Sequence, residues 1–170
     1  MAIDLSLHDT FYPFEGFDHI RNIARAIIMD DNGGFAIHRI HRVDIFGDVE
    51  YPETPGGGVD EGESFEEAVI RECEEETGYR VEVISFLGEV RDYYNLIKRK
   101  NVNRFYLCKA KTFVGKHFAS SGDGFIQKTE FLPIEEIISL YESLPEEGIR
   151  GIIRQRELPI WLEAKRVLKK

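Results

Sequence analysis

The chain has few of the residues that form covalent cross-links. Only two cysteines, Cys73 and Cys108, occur among 170 residues, and no CxxC pair is present. Two cysteines do not make a disulfide framework, so the fold must be held by its core. The hydrophobic fraction of 42% is sufficient for one such core, and the length suits a single domain.

Long apolar runs are also missing. The longest run spans only a few residues, such as 26–29, so no transmembrane helix is expected. Residues 1–14 lack a basic segment followed by an apolar run, which is the pattern of a secretory signal. We therefore expect a cytoplasmic protein that has no membrane partner.

Basic side chains are outnumbered by acidic ones. The sequence holds 22 Lys and Arg residues against 31 Asp and Glu residues, which leaves a formal net charge of −9. An acidic surface repels phosphate backbones, and this argues against nucleic acid as a partner. A small anionic ligand is still compatible with the charge, because a local site or a metal ion can override the average field.

Strand and helix patterns occur in an order typical of a mixed sheet with helices on its faces. The first sixteen residues are interpreted as a loose N-terminal arm. Strands are predicted at 23–29, 35–40, 49–53, 81–90, 102–110 and 125–132, and helices at 64–77, 134–143, 148–156 and 159–168. Residues 30–34 have the composition of a hairpin turn. This order favours an α+β fold over a doubly wound parallel sheet.

The helix at 64–77 has the clearest end signals. Ser64 followed by Glu67 matches a capping box, and Gly78 suits the position just after a helix end. At about 100° per residue, the helix has one apolar stripe that we expect to face the sheet. The stripe contains Phe65, Ala68, Val69 and Cys73.

Three carboxylates continue this stripe toward the C-terminal end of the helix. They are Glu72, Glu75 and Glu76. The other glutamates of the helix, Glu66, Glu67 and Glu74, point toward water on the same helical wheel. Like charges at i,i+3 and i,i+4 repel each other, and the negative end of the helix dipole disfavours each anion by roughly 0.3–1 kcal/mol.

A divalent cation would turn this repulsion into attraction. A set of ligands made only of oxygen suits a hard ion such as Mg²⁺ or Mn²⁺. The competing interpretation is a solvated acidic helix end that pairs with Arg71 and Arg80. The inward register of the three carboxylates weakens that interpretation.

The segment from Gly57 to Tyr79, GGVDEGESFEEAVIRECEEETGY, resembles a known family motif. The motif is the Nudix box, G-x5-E-x7-R-E-U-x-E-E-x-G-U, in which U is a bulky apolar residue. The matching positions are Gly57, Glu63, Arg71, Glu72, Cys73, Glu75, Glu76, Gly78 and Tyr79. Cys73 is smaller than the usual residue and Tyr79 is larger, but neither change removes a ligand. The chain is thus similar to the MutT-like Nudix hydrolases.

This resemblance implies a fold and an activity. The fold would be an α/β/α sandwich with a mixed sheet and a loop–helix–loop motif, over residues 17–145. Residues 146–170 would form a C-terminal helical extension packed on that domain. The activity would be metal-dependent hydrolysis of the diphosphate linkage of a nucleoside diphosphate derivative, by water attack on phosphorus.

Residue roles also follow from the resemblance. The implied ligands of Mg²⁺ or Mn²⁺ are Glu72, Glu75, Glu76 and the carbonyl of Gly57. Arg71 would orient the carboxylates through a salt bridge, and Glu63 would support the loop or bind metal through water. The expected catalytic residues are Arg71, Glu72 and Glu75.

Several assignments stay open at this point. The general base is a glutamate of the box, or else Glu130 or Asp123. His38 and His41 would lie on opposite faces of a strand, which argues against a two-histidine metal site. The basic run at 98–100 has two interpretations, namely a phosphate contact and a charged hairpin turn.

Two other functions compete with hydrolysis. One is a Nudix-fold module that senses a nucleotide without turnover, although such modules usually lose box carboxylates and this chain keeps them all. The other, an isoprenoid diphosphate isomerase, ranks lower because it would need an active-site cysteine. The expected partner is a small nucleotide or other diphosphate, whose identity is open. Pairing of two copies of the chain is open as well.

Overall fold

The computed structural model describes residues 1–117 and 124–170. These ranges contain eight β-strands and three α-helices. The strands are β1 (Ile3–Ser6), β2 (His19–Met29), β3 (Phe35–Asp44), β4 (Gly47–Glu53), β5 (Gly56–Gly58), β6 (Tyr79–Tyr94), β7 (Arg99–Phe113) and β8 (Ile126–Leu132). The helices are α1 (Phe65–Thr77), α2 (Ile134–Glu142) and α3 (Gly148–Leu168). None of the three helices is long and apolar enough to cross a membrane.

The strands form one mixed sheet in the order β1-β6-β7-β2-β3-β4. In addition, β5 pairs with β2 and β8 pairs with β3. The β1–β6 and β2–β7 pairs are parallel, whereas β6–β7 and β3–β4 are antiparallel. The mixed sheet predicted from the order of the elements is therefore confirmed.

Helices cover both faces of the sheet because the central strand is apolar on both sides. In β2, Ala26 and Ile28 belong to the cluster that packs against α1. Ile27, between them, belongs to the cluster that packs against α2 and α3. Successive side chains of a strand point to opposite faces, so one strand supplies both cores. The result is the predicted α/β/α sandwich of the α+β class.

Local signals place α1 where the sequence predicts it. The Ser64 hydroxyl accepts a hydrogen bond from the Glu67 N–H, and the Glu67 side chain accepts one from the Ser64 N–H. At the other end, Gly78 adopts φ 79°, a left-handed conformation that glycine takes without strain. The apolar stripe is buried against the sheet, and Ala68, Val69 and Cys73 are fully covered. The predicted register of the helix is thus confirmed.

The N-terminal region and the β6–β7 hairpin differ from the sequence-based expectation. The first residues are not a loose arm, since Ile3–Ser6 pair in parallel with residues 88–91 at the edge of the sheet. The hairpin extends beyond the predicted strand ends, and only a short turn at Asn95–Ile97 and Lys98 joins its strands. The first error arises from pairing between distant segments, which local patterns do not reveal. The second arises because cross-strand pairs extend the hairpin right up to its turn, where the single-strand pattern is weak. The division at residues 17 and 146 stays a prediction.

The C-terminal segment is one helix, not the two that were predicted. Pro159 lies inside α3 and removes a single backbone hydrogen bond. The neighbouring Ile160 and Trp161 are completely buried. Their burial outweighs the missing bond, so α3 continues for 21 residues.

A buried ionic network joins α3 to the sheet. Arg156 is fully buried and donates to Glu53 and Glu157 at 2.7 Å each. Glu157 accepts hydrogen bonds from the backbone N–H of Thr54 at 3.0 Å and from its hydroxyl at 3.1 Å. Burial opposes ionisation of Glu53, but Arg25 and Arg156 outweigh it and hold the pKa of Glu53 at about 2. The network therefore fixes the chain just before β5.

Candidate functional site

Strand β5 places a glycine main chain against the C-terminal half of α1. It pairs antiparallel with β2, with Gly57 opposite Ala24. A Cβ on Gly57 would lie 2.4 Å from Cδ of Glu72, and a Cβ on Gly56 would lie 2.2 Å from the carbonyl oxygen of Ala24. A side chain at Gly56 would collide with backbone, whereas one at Gly57 would displace the Glu72 carboxylate. The backbone at Gly57 therefore lies directly beside the Glu72 carboxylate.

Arg71 connects this glycine strand to the acidic residues. It forms a two-bond pair with Glu63, with both N···O distances at 2.8 Å. The same guanidinium donates to the carbonyl of Gly58 at 2.9 Å, to Glu72 at 2.7 Å and to Glu75 at 3.5 Å. The hydrogen bonds that Arg71 donates to Glu63 and Glu72 raise the pKa of Arg71 above its usual range. The contacts agree with the orienting role expected for Arg71.

The three inward carboxylates are buried side by side. The exposed fractions are 6% for Glu72, 8% for Glu75 and 5% for Glu76. Burial raises the pKa of Glu72 to about 7 against the hydrogen bond from Arg71, and repulsion from Glu76 and Glu75 adds to the increase. Such crowding of like charges is costly unless a cation compensates it.

The other glutamates of α1 lie outside this cluster. Glu66 and Glu67 are exposed on the solvent side of the helix. Glu74 is partly exposed and pairs with Arg80 at 3.2 Å. Glu74 is therefore a suitable control position for substitutions of its buried neighbours.

Glu76 is held by a chain of hydrogen bonds that begins at the surface. His38 Nε2 lies 2.8 Å from Glu76 Oε2, and the Gly56 N–H donates to the same oxygen at 3.0 Å. A carboxylate at this distance requires the proton on Nε2, so in the neutral ring Nδ1 accepts from the Thr129 hydroxyl at 2.9 Å. Lys116 in turn donates to Thr129 at 2.9 Å. His38 thus fixes the direction of the Glu76 carboxylate.

A cavity of about 400 Å³ opens beside these residues. Its acidic part includes Glu72, Glu75 and Glu76, together with the glycines of β5. Guanidinium groups and aromatic rings line it as well, from Arg21, Arg25, Arg42, Arg71, Arg99, Phe46, Tyr51, Tyr94 and Phe125. One bound molecule would therefore meet both a carboxylate cluster and several cations.

A comparison with known families decides the assignment of the fold and the motif. The NUDIX domain model matches residues 19–153, which is most of the chain. The chain belongs to the Nudix family. The match extends past residue 145 into the first part of α3.

Individual relatives are similar to this Nudix chain over different lengths. An RNA pyrophosphohydrolase of Shewanella piezotolerans is 53% identical over 49 residues, which is 28% of each chain. The match thus spans little more than a quarter of that relative's length. The NUDIX hydrolase from Nitrosomonas europaea has a TM-score of 0.65 at 17% identity, covering 88% of this chain and 90% of that chain. A MutT protein from Methanosarcina mazei Go1 has a TM-score of 0.61 at 22% identity, covering 93% and 100%.

The Nudix box presents donors that fit a divalent cation in their chemistry. All are oxygen atoms, on three buried carboxylates next to a glycine main chain, which suits hard ions. Among the described residues, no three His, Cys, Asp or Glu side chains are arranged so that they could hold a metal ion. Arg71 and His38 instead hold one oxygen each of Glu72 and Glu76. The site therefore requires these contacts to adjust when an ion binds.

Glu130, one of the two alternative general bases, receives no support from its position. Glu130 on β8 pairs with Arg39 at 2.7 Å and Lys128 at 2.8 Å, and it is not among the residues that line the cavity. Hydrogen bonds from Lys128 and Arg39 lower the pKa of Glu130, which makes it a poorer proton acceptor. Asp123 lies outside the described residues. Of the box glutamates, Glu72 lies beside Gly57 and Glu76 accepts from the Gly56 N–H.

The sequence did not place two polar residues, His38 and Arg25, in the site. Both are buried in strands that otherwise contribute apolar side chains to the core. A single histidine or arginine within an apolar strand was the available signal, because such a residue must have a partner when it is buried. His41 is partly exposed and pairs with Asp48 at 2.7 Å. As predicted, the two histidines do not form a common site.

We expect His38→Leu to weaken metal binding or activity by about 10- to 100-fold, the range typical of residues that orient metal ligands. Leucine fills the space of the ring but leaves Glu76 Oε2 without the His38 donor. Mn²⁺ titration and steady-state kinetics would measure the loss. His41→Leu is the matched control on the same strand and should change either quantity by less than about twofold. Equal effects of the two substitutions would contradict the orienting role.

Proposed function

We propose that this Nudix protein is a metal-dependent hydrolase that cleaves the diphosphate linkage of a nucleoside diphosphate derivative. The observation that carries the proposal is the cluster of buried carboxylates in a cavity that also contains several arginines. If these carboxylates were only a solvated acidic helix end, they would be exposed to water and not buried. A nucleotide-binding site without hydrolysis would not need three buried carboxylates in the same cavity.

The proposed ligands of Mg²⁺ or Mn²⁺ are Glu72, Glu75, Glu76 and the carbonyl of Gly57. A divalent cation bound there supplies charge neutralisation at the phosphates and acidifies water. Arg71 holds Glu72 and Glu75 in place through its hydrogen bonds. A box carboxylate, Glu72 or Glu75, takes the proton from the attacking water as that water adds to phosphorus, while the bond from this phosphorus to the bridging oxygen breaks and the other phosphate leaves with that oxygen.

The surroundings of the carboxylates suit a negatively charged substrate. The glycines of β5 have no side chains, so a phosphate can approach their backbone closely. The arginines of the cavity offer donors that match phosphate oxygens. The matched relative is named an RNA pyrophosphohydrolase, and this name, which describes pyrophosphate hydrolysis in that protein, agrees with the proposed reaction class.

A release assay across several diphosphate classes tests the proposal. The purified protein with Mg²⁺ is incubated with nucleotide sugars, ADP-ribose, nucleoside triphosphates and dinucleoside polyphosphates. We expect hydrolysis of at least one class, with both products identified by chromatography. Binding of a nucleotide with no turnover of any class would favour the sensing module instead.

We expect excess EDTA to abolish this hydrolysis, and added Mg²⁺ or Mn²⁺ to restore it. The physical reason is that a diphosphate repels a hydroxide-like nucleophile unless its charge is neutralised. The rate is measured before chelation, after chelation and after metal is restored. Full turnover in EDTA would rule out metal dependence. Ca²⁺ serves as the control, because it is larger than Mg²⁺ and its coordination is less rigid. Activity that Mg²⁺ restores and Ca²⁺ does not would show that the smaller ion is required.

A further inference from the structure

Two arginines of the cavity lie on one face of neighbouring strands. Strands β2 and β7 run parallel, with His19 opposite Arg99 and Arg21 opposite Asn101. Side chains two positions apart on a strand share a face, so Arg21 and Arg99 are diagonal neighbours. Both line the cavity. Of the basic run predicted at 98–100, only the central residue is among the lining residues.

The other cavity arginines have acidic partners. Arg25 pairs with Glu53 at 3.1 Å, Arg42 pairs with Asp44, and Arg71 pairs with Glu63 at 2.8 Å. Within residues 1–117 and 124–170, neither Arg21 nor Arg99 has an ion pair. Arg21 and Arg99 thus differ from the other cavity arginines in having no carboxylate in direct contact, although the charge of Asp92 acts on Arg99 from farther away.

Arg99 carries a further sign of a missing anion. Its guanidinium carbon lies over the Tyr94 ring, 5.0 Å from the ring centre. Its Nε is buried and has no hydrogen-bond partner among the described atoms. Burial lowers the pKa of Arg99, and repulsion from Arg21 contributes to the decrease. A buried donor without an acceptor is costly, and an oxyanion would supply the acceptor.

The charge of this pair indicates which oxyanion fits. The carboxylates and their cation are assigned to the scissile diphosphate. Arg21 and Arg99 then add two positive charges, and a terminal phosphate monoester carries about −1.5 to −2 at pH 7. A sugar joined to the diphosphate would bring no charge to this position. The pair therefore matches a substrate whose phosphate chain ends in a free phosphate.

We propose that Arg21 and Arg99 form an anion subsite that binds a terminal phosphate of the substrate, next to the linkage that is cleaved. This inference rests on the proposed function and narrows its substrate class. Nucleoside triphosphate-type chains are preferred over nucleotide sugars. The Tyr94 ring holds the Arg99 guanidinium in place, and the edge of that group donates to the phosphate.

Competition between two substrates that share the same adenosine and first phosphate tests the subsite. ATP ends in a phosphate, whereas ADP-ribose ends in an uncharged sugar. We expect the wild-type ratio of kcat/KM for ATP over ADP-ribose to exceed about 10, and Arg99→Gln to lower this ratio by at least about tenfold. Arg21→Gln should lower it in the same direction. Lys98→Gln is the control, because Lys98 is exposed in the same basic run and is not among the cavity residues.

A binding measurement separates failure of the subsite from failure of the proposed hydrolysis. In EDTA, tripolyphosphate should raise the Tm of the wild type and of Lys98→Gln, but not that of Arg99→Gln. An unchanged substrate ratio in Arg99→Gln, or equal Tm shifts in all three proteins, would overturn the subsite. If the wild type hydrolyses no diphosphate, the proposed function is wrong, and the Tm shift alone decides whether the subsite exists.

Discussion

Glu76→Gln and Glu75→Gln are each expected to lower kcat by at least about a hundredfold, or about 3 kcal/mol of transition-state stabilisation. Glutamine keeps the shape of the side chain, so the loss would report the removed charge. Both residues lie in the buried cluster that we assign to the metal. Steady-state kinetics at saturating Mg²⁺ measure the effect, and thermal unfolding shows whether each variant stays folded.

The control for this prediction is Glu74→Gln. Glu74 is a neighbour in the same helix, but it pairs with Arg80 outside the cavity. We expect less than about a threefold change in kcat, or below 1 kcal/mol. Comparable losses for Glu74→Gln and Glu76→Gln would show that the helix acts through its total charge, and the assignment of separate ligands would be withdrawn.

Arg156→Met is expected to lower the free energy of unfolding by about 3–5 kcal/mol, the range for breaking a buried ion pair. Methionine occupies a similar volume, but it leaves Glu157 and Glu53 without their bonds at 2.7 Å to this guanidinium. The Tyr94 hydroxyl also loses the Arg156 donor, at 2.7 Å. Urea denaturation followed by fluorescence of the buried Trp161 measures the change.

Arg154→Met provides the comparison on the same helix. Arg154 pairs with Glu146, whose side chain is 79% exposed, and such surface pairs contribute about 0–1 kcal/mol. A similar loss in both variants would mean that α3 is sensitive to any change of charge. If Arg156→Met lowered the free energy of unfolding only slightly, the buried network would add little to stability. Glu157 and Glu53 would then be compensated by other groups.

Local patterns predicted the parts of the site that are close in sequence. The capping box, the final glycine and the helical period define α1, and the same period turns Glu72 and Glu76 toward the sheet. The hairpin at 30–34 also forms where its glycines predict, and the Asp30 N–H donates to the Gly34 carbonyl at 2.9 Å. In each case the determining interactions span only a few residues.

The rest of the fold and of the site depends on contacts between distant segments, which no local hydrophobic period encodes. His38 and Glu76 are 38 positions apart, and Arg156 and Glu53 are 103 apart. Strand β1 is recognisable only through its partner β6. Pro159 gives a misleading local signal, because burial of the helix around it outweighs one lost hydrogen bond.

The segment before and within β5 is attached to both helical layers. Thr54 is bonded to Glu157 of α3 on one face of the sheet, and two positions later the Gly56 N–H is bonded to Glu76 of α1 on the other face. Three consecutive residues of main chain thus link the two outer layers of the sandwich through its middle. These two hydrogen bonds tie α1 and α3 to the same short segment, so the Glu76 carboxylate is positioned relative to α3 as well as to the sheet.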